Sequence, residues 1–283
     1  MLFNSFAHIP GIGAATERRI WEEGVHHWDD FVEPWPAGFT GRRGGMVVSR
    51  LAESRARFHE GARAIGRLLR NNLHWRLFPH FRHATACLDI ETTGRGPGPE
   101  LITAISLYDG TSIFTFVRGD NLEEFVQVVG RYEVLITYNG RCFDVPVLER
   151  AFGIRLDQVH IDLRFLLQEL GVTGGLKVCE KKLGIHRGEL EGVDGFFAVL
   201  LWREYERTGS RAALHTLLAY NIADTVNLEI LMVHAYNRKV AQTPLGESLF
   251  LPLPLPPLNP YSPDRHLVEA IRHRSAIWFP SGK

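Results

Sequence analysis

Three stretches of this chain of 283 residues carry carboxylates at spacings that could do chemistry. The run ATACLDIE, residues 84–91, alternates as a strand does, placing Leu88 and Ile90 on one face and Asp89 and Glu91 on the other. Like charges that close repel unless a cation lies between them, and hard divalent ions such as magnesium take oxygen ligands. A solvent-facing acid pair is the competing reading. The apolar run VLITY leads into Asn139-Gly140 and then Cys142-Phe143-Asp144, ahead of a helix whose first turn contains Pro146. Asp144 fits a helix N-cap, yet a carboxylate after a strand's C-terminal end is also where open sheets flanked by helices build their sites.

The third stretch, ALHTLLAYNIADTVNLEILMVHAY, is apolar around most of its circumference, which predicts a buried helix. Tyr220 and Asp224 lie four apart on one face, with Asn227 one turn further. An ionised carboxylate there costs on the order of several kcal/mol unless it is paired or bound to metal. Between Leu214 and Met232 the basic residue is His215, so Asp224 calls for a metal or for an arginine from elsewhere in the fold.

The elements that must position these groups follow from periodicity. The runs ATACLDIE, ELITAISLYD and TSIFTFVR read as three strands, with a turn at Gly110 between the last two. A helix near 122–130, the strand VLITY, a helix over 145–152 and the strand QVHIDL come next, then helices over 176–183, 196–205 and 212–236. Strands followed by alternating strand and helix imply a mixed sheet with helices packed on it. Asp162 and Asp194 are lesser candidates, with Asp162 fitting a helix cap. Asn139 is expected to shape the loop. Lys177, Lys181 and Lys182 could touch a phosphate backbone or simply face solvent.

The DIE of Asp89 and Glu91, the NGRCFD ending at Asp144 and the YNIAD of Tyr220 and Asp224 resemble, in order and in carrier element, the three exonuclease motifs of the tyrosine-bearing branch of the DEDD superfamily. Within it, TYNGRCFDVPVLER, GGLKVCEKKLGI, EGVDGFFAVLLWREY and LLAYNIADTVNLEIL resemble the YprB-type ribonuclease H-like exonuclease domain over about residues 83–236. The resemblance implies an α/β fold, a ribonuclease H-like mixed five-stranded sheet flanked by helices. It also implies metal-dependent cleavage of nucleic acid, usually from a 3′ end, with two Mg2+ or Mn2+ ions as cofactor. Asp89, Glu91 and Asp224 would hold one ion, Asp89 would bridge to a second, Asp144 would help hold that second ion, and Tyr220 would orient the attacking water.

Charge along the chain bears on the partner. The 32 basic and 32 acidic residues cancel, but residues 1–40 carry net −4, residues 41–83 net +8 and residues 84–283 net −4. All ten basic residues of the middle segment are arginines, Arg63 and Arg67 among them, interleaved with Phe58, Trp75, Phe78 and Phe81. Such a segment suits phosphate and base contacts, or forms a solvated helix face. Residues 38–45 read as a linker and Val47 to Asn72 as one amphipathic basic helix. Near the N-terminus, Pro10-Gly11-Ile12-Gly13 forms a tight turn before a short helix over 14–23. It resembles the hairpin and second helix of a helix-hairpin-helix element, in which Gly11 and Gly13 would let backbone N–H groups approach phosphate. A turn that only packs this segment onto the enzyme is the alternative, since nine residues precede Pro10 and the segment is acidic.

The expected organisation is a small helical N-terminal segment over 1–40, an arginine-rich helical segment or linker over 41–82, the ribonuclease H-like domain over 83–240 and a proline-rich extension over 241–283 ending in a short helix. Cys87, Cys142 and Cys179 are too widely spaced for a disulfide framework or a structural zinc site. No stretch has the roughly 20 apolar residues of a membrane helix, and no leader is evident, so the expectation is a cytoplasmic protein without a membrane partner. The leading functional expectation is a metal-dependent 3′–5′ exonuclease acting on single-stranded DNA or RNA. The alternatives are a nucleic-acid-binding protein with the same fold and little chemistry, and a structure-specific endonuclease.

Overall fold

The structure, a computed structural model, describes residues 1–94, 100–191 and 193–278; residues 279–283 of the proline-rich extension lie outside the described residues. Ahead of the sheet come α1 (Ala14–Glu22), α2 (Arg42–His59), α3 (Ala62–Gly66) and α4 (Phe78–Phe81). The strands β1 (Thr85–Thr92), β2 (Ile102–Tyr108) and β3 (Ile113–Val117) follow, then α5 (Phe125–Val129), β4 (Val134–Thr137), α6 (Asp144–Phe152) and β5 (Val159–Asp162). The chain continues through α7 (Leu163–Glu169), α8 (Leu176–Lys182), α9 (Gly195–Thr208), α10 (Arg211–Ala241) and α11 (Arg265–Trp278).

The five strands form one sheet in the order β3-β2-β1-β4-β5. β1, β2 and β3 pair antiparallel, whereas β4 lies parallel to β1 and β5 parallel to β4. This is the expected mixed five-stranded α/β sheet. Alternation along β1 sorts its residues between two cores: Ala86, Leu88 and Ile90 join Phe125, Val128 and Leu148 on one face, while Cys87 joins Leu228 and Met232 of α10 on the other. Asp89 and Glu91 share the parity of Cys87, so the pleat aims both acids at α10. The register with β2 shifts between Glu91 and Thr92, an irregularity that ends regular pairing beside the acid pair.

Two expectations for the arginine-rich segment are corrected. Residues 38–45 are not wholly linker, because α2 begins at Arg42 and includes Gly44, where a Cβ would stand 2.1 Å from the Trp35 ring. Nor is Val47 to Asn72 one helix: it breaks at Gly61 (φ +114°), where a Cβ would meet the Glu133 carboxylate at 2.5 Å, and that carboxylate accepts the Ala62 N–H at 2.5 Å to start α3. Beyond α3 the chain turns through a 3-10 segment, Asn71–Leu77.

The N-terminal segment packs directly on this framework, since Leu2, Phe6, Ile20 and Trp28 belong to the same apolar cluster as Trp75, Val134 and Leu231. The proline-rich extension runs back along α10: Leu251 and Asn237 exchange two hydrogen bonds of 2.8 Å, Asn259 donates to the Ala219 carbonyl at 2.8 Å and the Asp264 N–H to Thr216 Oγ1 at 2.9 Å. Among the described residues no helix is long and apolar enough to cross a membrane.

Candidate metal centre

Asp89, Glu91 and Asp224 come together: a carboxylate oxygen of each lies within 4.8 Å of the others. They are 135 positions apart in the chain at the extremes, and the pleat of β1 and the packing of α10 close that gap. Asn221, one turn before Asp224, donates Nδ2 to Asp89 Oδ2 at 2.7 Å and so links the helix to the strand. Burial pushes Asp89 well above the usual carboxylate range, and the neighbouring Asp224, Glu91 and Asp144 push it further. Glu91 is raised in the same way, by burial and by Asp224, with Lys177 and Arg187 pulling back.

Of the two readings open for Asp144, the helix cap is not the one realised. The N-cap of α6 is Phe143, and Asp144 is the first helical residue, buried, with Oδ1 accepting the Ile90 N–H of β1 at 3.3 Å. Burial raises it to about 7 despite the backbone N–H groups that bond its charged form. Without a cap to make, it stands against the backbone between Asp89 and Glu91, where its charge is felt by both.

The lesser candidates serve the framework. Asp162 caps α7 through the Arg164 N–H at 3.1 Å and also accepts the Asn139 and Arg141 N–H groups at 2.8 and 3.0 Å, which pins the loop carrying Asp144 to the end of β5. Asn139 is the one described non-glycine residue with positive φ (64°), and its side chain accepts from Arg164. Asp194 caps α9 through the Phe197 N–H at 2.9 Å.

Lys177 joins the acids. Its Nζ lies 3.8 Å from Asp224 Oδ2 and 4.2 Å from the centre of the Tyr220 ring, and donates to the Tyr220 hydroxyl. Burial holds the Tyr220 phenol far above its ordinary value, reinforced by Asp224, Glu91 and Asp89, so it stays protonated. Arg187 and Glu180 had no spacing to mark them. The Arg187 side chain, 6 % exposed, contacts Asp224 Oδ1 and donates to both Glu180 oxygens at 2.5 and 2.6 Å. The arginine partner that Asp224 left open is therefore present, on the loop after α8. The one advance signal was the demand of a buried Asp224 for a cation.

Five carboxylates, Glu180 included, thus meet two cations, and the acids that face one another are all oxygen donors. That set fits a hard divalent ion, which takes carboxylate oxygens and offsets such repulsion.

The basic segment is largely neutralised within the fold. Arg55, Arg63, Arg76 and Arg82 pair with Asp29, Asp157, Glu17 and Glu229 at 2.5, 2.8, 2.7 and 2.6 Å, and Arg50 and Arg57 pair with Glu53 and Glu60 at 2.6 and 2.7 Å. Trp75, Phe78 and Phe81 are buried, so the aromatic faces expected to stack on bases are core instead. Arg63 also donates to the Tyr132 carbonyl at 3.0 Å and braces α3 on the sheet. Arg67 is exposed and lines, with His8, Ile9, Pro10 and Arg50, a cavity of about 240 Å3 beside the turn that bears Gly11 and Gly13, both exposed.

Residues 86–236, just over half of the chain, match the family model of the ribonuclease H superfamily. Structures of similar fold include the family B DNA polymerase of the hyperthermophilic archaeon Pyrobaculum calidifontis (TM-score 0.43, 20% identity, 57% of this chain and 26% of that chain). Brucella melitensis NrnC with bound Mg2+ is another (TM-score 0.41, 16% identity, 73% of this chain and 92% of that chain). The chain spans about a quarter of the polymerase's length. No curated protein matches the chain. With the family model matched from the first strand of the sheet to the helix that carries Asp224, the chain belongs to the ribonuclease H superfamily.

Proposed function

We propose that this protein is a divalent-metal-dependent nuclease that removes nucleotides from the 3′ end of single-stranded DNA or RNA, with Mg2+ or Mn2+ as cofactor, and that within its superfamily it falls in the YprB-type, tyrosine-bearing branch. The observation that carries the reading is the convergence of Asp89, Glu91 and Asp224 within 4.8 Å at the end of β1, with Asp144 bonded to the same strand. When bound, two divalent ions would supply an activated water and stabilise the leaving oxygen of an in-line displacement. Asp89, Glu91 and Asp224 would hold one, Asp89 would reach the second, and Asp144 would help hold it.

The chain's own residues do the rest. Tyr220 accepts a hydrogen bond from Lys177, which leaves its own O–H to donate to the attacking water and orient it. A phenol held protonated serves as a donor rather than a base. Lys177, one-third exposed, offers its ammonium to a phosphate oxygen. Tyr138, Asn139, Arg164, Gly174 and Gly175 line an open groove of about 590 Å3 that borders the start of α8, two residues from Lys177, and this groove suits the incoming strand. Arg67 and the Gly11–Gly13 turn supply a second, weaker backbone contact.

The test is a cleavage panel of 5′-labelled linear and internally labelled circular single-stranded DNA and RNA with Mg2+ or Mn2+. Progressive shortening of the linear strands, intact circles and no cleavage by Asp89→Ala are expected. Intact substrates throughout, or Asp89→Ala cutting as fast as wild type, would refute the reading, and opened circles would make the enzyme an endonuclease.

A further inference from the structure

Arg187 is gripped at three nitrogens. Nε and Nη2 donate to Glu180 Oε2 and Oε1 at 2.5 and 2.6 Å, and Nη1 contacts Asp224 Oδ1. Glu180 is tied in turn to the helix of Asp224, because Asn227 Nδ2 donates to Glu180 Oε1 at 2.9 Å. The side chains of Glu180, Arg187 and Asp224 are 1, 6 and 7% exposed, so the fork is buried. A guanidinium is planar, and fixing two of its nitrogens on one carboxylate fixes the direction of the third. Here that direction is Asp224 Oδ1. The other oxygen, Oδ2, lies 3.8 Å from Lys177 Nζ, on a side chain 33% exposed.

The two cations therefore differ in kind: one is clamped and buried, the other is one-third exposed and meets Asp224 across a longer gap of 3.8 Å. We propose that Arg187 is a positioning residue for the metal centre: the fork anchored on Glu180 fixes one oxygen of Asp224 so that the other is presented to a divalent ion, and Lys177 is the exchangeable cation that yields its place. This rests on the reading of Asp89, Glu91 and Asp224 as metal ligands. Groups that orient a ligand without touching the ion commonly govern affinity, because a carboxylate free to rotate must be ordered when the ion binds.

A fork that merely braced the loop after α8 against α10 would affect stability and leave metal affinity alone. Calorimetric titration of Mn2+ into the full chain, with melting measured in parallel, separates the two. Arg187→Met is expected to bind Mn2+ about 10- to 100-fold more weakly than wild type. Arg187→Lys, which restores charge without the fork, stays closer to Arg187→Met in affinity than to wild type. Glu180→Gln, which loosens the anchor, also weakens binding, and it decides the question should Arg187→Met not fold. Lys177→Met binds Mn2+ at least as tightly as wild type. Wild-type affinity in Arg187→Met, or in Glu180→Gln in its place, overturns the inference while the wild-type titration leaves the metal centre standing. A wild type that takes up no Mn2+ overturns both.

Discussion

Two buried arginine–carboxylate clusters in this molecule look alike and are built for different ends. In the N-terminal segment, Arg76 meets Glu17 with two bonds of 2.7 and 2.8 Å, and Glu17 also accepts from the Phe6 and Ala7 N–H groups at 2.7 and 2.9 Å and from the Ser5 hydroxyl at 3.1 Å. One acid and one base balance in charge, and three further donors bond the carboxylate. Burial alone would raise Glu17, but Arg76 and the backbone bonds outweigh it and hold the carboxyl below its ordinary value. Around Asp224 the same kind of arginine is outnumbered: Asp89 and Glu91 are pushed up by burial and by neighbouring carboxylates, Asp224 first among them, and Asp144 by burial and by Asp162. Balanced buried charge makes architecture, whereas buried charge left in excess marks a place for something to bind.

The sharpest way to break this comparison is to remove charged groups from each cluster in turn. Asp224→Ala should lower nuclease turnover by roughly 10^3-fold or more, the scale at which several kcal/mol of transition-state stabilisation is lost. Asp89→Asn, measured by melting in chelator, should instead raise stability, by about 2–4 °C for each kcal/mol of repulsion relieved, while abolishing cleavage.

Arg76→Ala is expected to do the reverse in kind. It leaves a buried Glu17 without its cation, which costs about 3–5 kcal/mol of stability in denaturant titrations, with no dependence on divalent ions. The pH dependence follows from the sign of the Glu17 shift. Its folded value lies below the ordinary 4.5, so its contribution is present above about pH 4.5 and lost as pH falls through the folded value. The stability difference between wild type and Glu17→Gln should therefore shrink on acidification below that point. A difference that stays constant would contradict the balanced cluster.

Smaller effects sharpen the contrast. Tyr220→Phe removes the O–H proposed to orient the attacking water and should lower turnover about 10- to 100-fold, with Mn2+ affinity unchanged in titration. Arg67→Ala should weaken single-strand binding modestly and reduce the salt slope of the binding constant by about 1. An unchanged slope would confine Arg67 and the Gly11–Gly13 turn to a structural role.

How far the sequence announced this arrangement depended on the range of the interaction. Asp89 and Glu91 were readable because a strand alternates faces, and Tyr220 and Asp224 because a helix repeats every turn; both are local rules. The five strands followed from the same periodicities. Arg187 was not readable, because what brings it to Asp224 is the docking of the loop after α8 on α10, and no spacing encodes that. For Asp144 the local sequence leaves a cap and a site role open, because Asp before Pro146 suits an N-cap, while the Ile90 N–H that it accepts lies on a strand 54 residues earlier. The continuous basic helix failed for a like reason, since the Glu133 carboxylate that starts α3 afresh arrives from another part of the chain. The arginine excess over 41–83 was visible as a number, but its neutralisation by Asp29, Glu17, Asp157 and Glu229 was a property of the fold.

The most direct measurement is anomalous diffraction from a crystal of the full chain grown or soaked with Mn2+. Two peaks about 3.5–4 Å apart are expected, one against Asp89, Glu91 and Asp224 and the other reaching toward Asp144, with none at the balanced Glu17–Arg76 pair. Absence of Mn2+ at Asp89, Glu91 and Asp224 in protein that still cleaves nucleic acid would contradict the account.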